Sequence, residues 1–214
     1  MMILLFGITN VGKTVTGAKL AERLNYTFYD MDEVIKKKFQ TTLEKFMKDN
    51  PFSYERGKLK GKILSDIIKE NTGNIIISVS PIYYARFFNR LLDLDQVIAI
   101  ELQDSKENIF QRLVFSDEGD NIYKDDEYKE QHKDYYKKEI HEDIMYAKNL
   151  FKKIKNKYFM NNQSVDQVVN GLVVMIQNIL AETTRDSNYY LCRQRQRRNA
   201  EASCQLVEGK IECK

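Results

Sequence analysis

Short apolar runs rich in isoleucine, leucine, valine, phenylalanine and tyrosine alternate along this chain with stretches whose apolar residues recur every three or four positions. The runs Met2 to Phe6, Tyr26 to Tyr29, Asn74 to Val79 and Gln96 to Leu102 read as strands. Helical periodicity follows each one: about Lys13 to Leu24, then onward through Lys69, then Ile82 to Leu92, then Ser105 to Phe115. Strand then helix, repeated, is the pattern of a parallel sheet wrapped by helices. Ser116 to Asp126 is polar and acidic and holds a glycine, so a mobile loop is expected there. A long charged helix is expected over roughly Glu127 to Lys157, then a short run Tyr158 to Met160, then a closing helix from Ser164, its cap, to about Ala181. Periodicity is lost after Thr183. The expectation is one domain over 1–182 and a poorly ordered tail over 183–214, with no internal repeat.

Composition agrees with a globular domain. The 214 residues are 43% hydrophobic and 30% charged with only 2 prolines, which leaves room for a sizeable core and excludes a low-complexity chain. The apolar opening run is too short for a membrane span and lacks the basic flank and cleavage site of a secretory signal, so a cytoplasmic protein without a membrane partner is expected. Net charge is only +3. All of that excess falls in Arg185 to Lys214, where seven basic residues face four acidic ones. The run CRQRQRR in this tail could touch nucleic acid or acidic lipid, but without interleaved aromatics it reads as a solvated extension, and no nucleic-acid partner is expected. Cys192, Cys204 and Cys213 fit no zinc spacing and are read as free thiols.

The first strand runs into Gly7-Ile-Thr-Asn-Val-Gly12-Lys13-Thr14, a complete G-x-x-x-x-G-K-T with a strand before it and a helix after it. Such a loop turns its backbone N–H groups inward and adds the positive end of the next helix, which suits the phosphates of a nucleotide. Gly7, Asn10, Val11, Gly12, Lys13, Thr14 and Val15 are the candidate nucleotide contacts. Lys13 would reach the β and γ phosphates and Thr14 would hold magnesium. The plainer alternative is a glycine turn followed by a surface lysine.

Asp30 and Asp32 lie at the end of the second strand, on one side of an extended stretch and at the edge where ligands of such sheets collect. One could hold magnesium and the other could accept a proton or hydrogen bond from a substrate hydroxyl. Alternatively, either could simply cap the helix beginning with EVIKKK. The stretch GKTVTGAKLAERLNYTFYDMDEVI, with Gly17, Leu20, Ala21, Leu24, Phe28, Asp30 and Asp32, resembles the shikimate kinases. The resemblance runs over about residues 1 to 181. It implies a three-layer α/β/α P-loop fold with a five-stranded parallel sheet and a lid at about 116–127. It also implies ATP and Mg²⁺, and transfer of the γ-phosphoryl group to a ring hydroxyl of shikimate. Asp30 would correspond to the magnesium-side aspartate, and Asp32 to the residue that engages the accepting hydroxyl.

Past Asp32 the chain departs from that family where the acceptor would be held. Where the family has F-R-x-x-E, with an arginine on the substrate carboxylate, this chain has FSYER, with Ser53 in the arginine's place; Arg56 is one turn further on the same helix face. A family glycine run is replaced by SVSPIYY, in which Ser80 could still contact a ligand. The lid offers Lys124 and Lys129 but no arginine, leaving Arg112 at its base as the cation for phosphate or for adenine stacking, unless it only pairs with a nearby acid. Glu142 stands near another family arginine, where a carboxylate would repel shikimate. Each lost charge-assisted contact is worth about 1.5 to 3 kcal/mol, so the acceptor is held by other cations or is a different molecule.

His132 and His141 read as solvated helix residues, while Tyr83, Tyr84, Tyr135 and Tyr136 could line a pocket or pack between helices. The sequence therefore points to an ATP-dependent kinase of a small metabolite, shikimate or a related acceptor, acting as a monomer or weak dimer. Its catalytic residues would be Lys13, Asp32 and Arg112, with Asp32, Arg56 and Ser80 on the acceptor and Thr14 and Asp30 on the metal. The competing reading is a nucleotide-binding regulatory module that has lost transfer and acts through a partner.

Overall fold

A computed structural model of the chain describes residues 1–79, 85–94 and 96–183, with 85–88 described by backbone alone. Ser80, Tyr83, Tyr84, the three cysteines and the tail from 184 onward lie outside the described residues. The chain groups into two compact units, Met1–Leu172 and Val173–Lys214.

The first unit opens with β1 (Met2–Phe6), α1 (Lys13–Leu24) and β2 (Thr27–Asp30), followed by α2 (Met31–Phe39), α3 (Leu43–Asp49) and α4 (Ser53–Glu70). It continues with β3 (Ile75–Ser78), α5 (Ala85–Leu92), β4 (Val97–Gln103) and α6 (Lys106–Gln111). Then come β5 (Phe115–Ser116), β6 (Ile122–Tyr123), α7 (Asp126–Gln131), α8 (Lys133–Leu150) and β7 (Asn156–Phe159). A last helix, α9, occupies 165–183 and passes from the first unit into the second. Ser164 caps it, since its hydroxyl accepts from Gln167 N while the Gln167 side chain accepts from Ser164 N.

Strands β2, β3, β1, β4 and β7 form one five-stranded parallel sheet in that order, with helices on both faces. Strands β1 and β3 are buried at every position, as the continuous apolar runs MILLF and III require when both faces of a parallel sheet are covered. The registers Asp30 with Ser78, Leu5 with Ser78, Phe6 with Glu101 and Gln103 with Phe159 bring the carboxyl ends of all five strands to one edge. β1 lies between β3 and β4, so the chain order reverses beside it and the loop after β1 opens into the crevice where open α/β sheets bind ligands.

Two expectations are corrected. The stretch taken as a loop is an antiparallel hairpin, β5 pairing with β6, closed by a tight turn around Asp117. The single long helix is two: α7 ends at His132, whose backbone leaves the helical region and whose ring nitrogen bonds Tyr128 O, and α8 stops at Leu150. Charge periodicity continues across His132, which is why the break is invisible in the sequence.

Helix α1 reaches the sheet because Gly17 has no side chain. A Cβ there would lie 2.5 Å from Phe28 Cε2 and 3.3 Å from Leu5 Cδ1. Gly17→Ala should therefore destabilise the fold by about 1–2 kcal/mol through overpacking, although alanine is favoured in a helix by about 1 kcal/mol. Urea unfolding checks this, and Phe28→Leu in the same chain should recover part of the loss.

Candidate active site

The loop between β1 and α1 is shaped by backbone that only certain residues accept. Gly7 has φ 146 and Gly12 φ 109, and a Cβ on Gly7 would sit 2.7 Å from Leu102 O and 2.8 Å from Val11 Cγ1. Asn10, with φ 60, supplies the left-handed turn at the loop's crest, and Val11 is fully buried beneath it. Val15 stands on the outer side of α1, 60% exposed.

Lys13 is half-buried and turns back into the loop, its ammonium donating to Gly7 O at 3.0 Å and Ile8 O at 2.9 Å. Burial lowers its pKa from 10.5 to about 8, opposed by the carboxylates of Asp32 and Asp30 and reinforced by Lys60. Thr14, the next residue, donates its hydroxyl to Asp30 Oδ2 at 2.5 Å. The other oxygen of Asp30 accepts from Asp32 N at 2.9 Å and Glu33 N at 3.4 Å, which makes Asp30 the N-cap of α2. Capping and the approach to Thr14 are thus done together by one carboxylate. Asp32 follows in the first turn of α2, where its charge acts on both Lys13 and Lys60.

The candidate cations further along are already engaged. Arg56 donates to Asn50 O at 2.6 Å, Pro51 O at 2.7 Å and Ser53 Oγ at 3.3 Å, fastening the turn between α3 and α4. Arg112 donates to Asp104 at 2.6 Å, and its buried Nε has no partner. Burial alone would raise the pKa of Asp104, but hydrogen bonds from Asn108, Arg112 and Ser105 N outweigh it and hold the carboxyl below its ordinary range. Glu142 is paired on the surface of α8 with Lys138 at 3.8 Å.

The β5–β6 hairpin reaches across this edge from the β4 side to the helices that follow β2. Asp117 Oδ1 accepts from Gly119 N and Asn121 N, both at 2.9 Å, which presents Asp120 at the tip with φ 61. Asp120 Oδ2 accepts from Leu43 N, the first amide of α3, at 2.8 Å and lies 4.0 Å from Lys36 Nζ. At its other end Phe115 packs against Tyr123, Tyr128 and Tyr136 with ring centroids 5.6–5.8 Å apart, and His132 lies 4.1 Å from the Tyr128 ring. Tyr136 thus belongs to the hairpin's packing, while Tyr135 is exposed and meets the ring of Tyr136 at its edge. His141 lines a cavity of about 320 Å³ beside the loop, together with Ile8, Val11, Ile109 and Phe159.

The structure thus gathers Gly7, Gly12, Lys13, Thr14, Asp30 and Asp32 at one edge. A model of the family described as shikimate kinase matches residues 9–177. The chain belongs to the shikimate kinase family. That makes it a member of a family of small-molecule phosphotransferases. No curated protein matches the sequence significantly. Among solved structures it is similar in fold to the shikimate kinase of Bacteroides thetaiotaomicron, at 18% identity and TM-score 0.62 over 83% of this chain and 98% of that one. The Aquifex aeolicus shikimate kinase gives 19% and 0.61 over 84% and 98%. The Acinetobacter baumannii enzyme, solved with shikimate, gives 16% and 0.64 over 83% and 93%. Among the described residues, no helix is long and apolar enough to cross a membrane.

Three residues of this shikimate kinase relative escaped the sequence reading. Lys60 hides in the lysine-rich run ERGKLKGK, Asp104 reads as part of a helix start, and Asp120 reads as loop. The Asp120 contact is directly testable. A charge-assisted hydrogen bond is worth about 1.5 to 3 kcal/mol, so Asp120→Ala should speed amide exchange at Leu43 by about ten- to a hundredfold. Hydrogen exchange read by mass spectrometry or NMR checks this, with helix α1 as the unaffected control.

Proposed function

We propose that the protein transfers the γ-phosphoryl group of ATP to a hydroxyl of a small metabolite, shikimate or a close relative. The observation that carries this reading is the approach of Thr14 to Asp30 at 2.5 Å, directly behind the loop and two residues before Asp32. A simple binder needs the loop; it has little use for two aspartates arranged on it.

The residues present fit the magnesium ion such a reaction employs. Thr14 and Asp30 supply the hard oxygen donors it prefers, and no group of three or more acidic, histidine or cysteine residues forms a separate metal cage among the described residues. Phosphate oxygens would therefore complete its shell. When bound, magnesium neutralises charge on the phosphates and offsets the charge that develops as the bond to the leaving oxygen breaks.

The chain's own groups do the remainder. Lys13 would leave the carbonyls of Gly7 and Ile8 for the β and γ phosphate oxygens, with the loop N–H groups and the N-terminus of α1 around them. Asp32 would accept the hydrogen bond of the acceptor hydroxyl and orient its oxygen toward the γ phosphorus, taking the proton as the new O–P bond forms. Arg112, fixed on Asp104, would lend charge or a flat face on the nucleotide side, and Arg56 and Ser80 would border the acceptor. Catalysis of this kind is positioning and electrostatics, which a retained loop and aspartate pair can supply.

One observation favours the second reading, a nucleotide-dependent binder. The hairpin carries Asp117, Glu118 and Asp120 where a transferring lid would carry an arginine. ATP turnover with Mg²⁺, alone and with shikimate, separates the two. Shikimate should accelerate ADP release. Lys13→Ala should abolish the gain by removing nucleotide binding, and Asp32→Ala should keep ATP binding while slowing transfer by about 10²- to 10⁴-fold. ATP binding through Lys13 with no response to shikimate would discard shikimate as the acceptor.

The lowered pKa of Lys13 gives a second test. Phosphate requires the charged ammonium, so ATP affinity should be nearly flat below pH about 8 and weaken by up to about tenfold per unit above it. Titration calorimetry at pH 7 to 9.5 reads this, with proton uptake on binding at the alkaline end. In the absence of ligand the sign is opposite. A folded value below the unfolded one penalises the fold below pH about 8, and the penalty lifts as pH rises toward 10.5.

A further inference from the structure

We propose that the cavity between α6 and α8, beside the loop that follows β1, is a second ligand site, suited to a small molecule with an apolar body and one carboxylate. The inference goes beyond the kinase reading above and does not depend on it.

The cavity holds about 320 Å³, at the lower end of the range for small-molecule sites. Its walls are apolar: Ile8 and Val11 from the loop, Ile109 from α6, Ile144 and Ala147 from α8, and Phe159 from β7. Ala147 is buried on the inner face of α8 and, having only a methyl group, fills little of the space there. Phe159 stands on a strand of the main sheet and is still 54% exposed, so much of its ring is left for a ligand to cover.

The charged groups around the cavity sort into two kinds. Both acids are engaged: Glu101 is paired with Lys157, and Asp104 accepts from Arg112 at 2.6 Å, Asn108 at 2.7 Å and Ser105 N at 2.8 Å. The cations are not. Lys148 has Ile144, Met145, Phe151 and Lys152 at the positions three and four residues away, so α8 offers it no acid. Its ammonium meets only Met145 Sδ, at 3.9 Å. Lys106 lies 3.9 Å from Glu107, its neighbour in sequence, which a helix turns toward a different side. By contrast Lys36, Lys38, Lys48, Lys129 and Lys133 each have a carboxylate within 3.0 Å. His141, two turns before Lys148 on α8, adds a ring N–H to the same wall.

Apolar walls with uncompensated lysines fit an anion that carries an apolar body. The body covers Phe159 and the isoleucines, and the carboxylate takes Lys106 and Lys148. A nucleotide fits poorly, since none of Lys13, Thr14 and Arg112 lines the cavity. The occupant would touch the loop through Ile8, whose carbonyl accepts from Lys13, and so would adjoin the nucleotide without sharing its contacts.

The test uses the full chain and two flat probes of matched shape, 2-naphthoate and the neutral 2-naphthamide, followed by calorimetry and by isoleucine methyl NMR. Naphthoate should bind with a Kd on the order of 1 mM or below, about threefold to tenfold tighter than the amide. The methyl signals of Ile8, Ile109 and Ile144 should move, while those of Ile63 and Ile67 on α4 stay in place. Lys106→Met combined with Lys148→Met should bring the two probes to equal affinity at an unchanged urea midpoint. Ile144→Glu should weaken both by about tenfold or more. Saturating Mg·ATP should leave naphthoate bound, with its Kd shifted a few-fold at most. The proposal is overturned if naphthoate shows no saturable binding below about 10 mM, or if its advantage over the amide survives loss of both lysines. It is overturned equally if naphthoate is displaced without limit as Mg·ATP rises, the mark of a shared site. A chain that binds naphthoate here but never phosphorylates an acceptor keeps this site and loses the kinase reaction.

Discussion

The carboxylate of Asp30 fixes the geometry on which the rest of the site depends. It receives Thr14 Oγ1 on one oxygen and the first free amides of α2 on the other. These bonds tie the start of α1 to the start of α2 across the ends of β1 and β2, which are not sheet neighbours because β3 lies between them. Without that tie the direction in which α2 leaves the sheet would be set only by Met31 and Ile35 packing into the core. With it, Asp32 is carried to a defined place beside Lys13. A charged cap of this kind also places negative charge at the positive end of a helix, which favours α2 itself.

Electrostatic imbalance then divides the carboxyl edge into two halves. Around the loop, Lys13 sits among carbonyls, where burial lowers its pKa to about 8, a shift that bound phosphate would oppose. Around α4, burial lowers the pKa of Lys60 and the charge of Asp32 opposes that shift. The hairpin adds acid at a distance from this cluster, since Asp120 spends its charge on Leu43 N and Lys36.

Much of this was legible in the sequence, and the parts that were not have identifiable causes. The strands, α1 and the loop follow from apolar runs and a complete motif, because burial on both faces and positive φ leave few residue choices. Asp30 was read as either a metal-side group or a cap; the structure makes it the cap and brings it to Thr14, which a one-dimensional reading treats as alternatives. Arg56 and Arg112 carry the right charge for a site, but whether a guanidinium is free depends on which carbonyl or carboxylate the fold brings to it. Lys60 failed to stand out for a similar reason. In a helix with several lysines, only burial and the absence of a partner distinguish it, and neither is a property of the residue type. The hairpin was missed because its strands are two residues each and its turn is held by Asp117, a residue equally common in loops.

The two halves of the site can diverge at different rates because they are built from different parts of the chain. In the function proposed, phosphate would be held by backbone groups, and those require Gly7 and Gly12 at fixed positions, one of them with a carbonyl 2.7 Å from where a Cβ would be. Such a cradle is kept whole or lost. The acceptor, in the function proposed, would be held by side chains, and on a helix the same space can be reached from a residue one turn away. An arginine at Ser53 can therefore be given up if a cation elsewhere on α4 faces the same crevice. Arg56 cannot fill that role while it fastens the turn at Asn50 and Pro51.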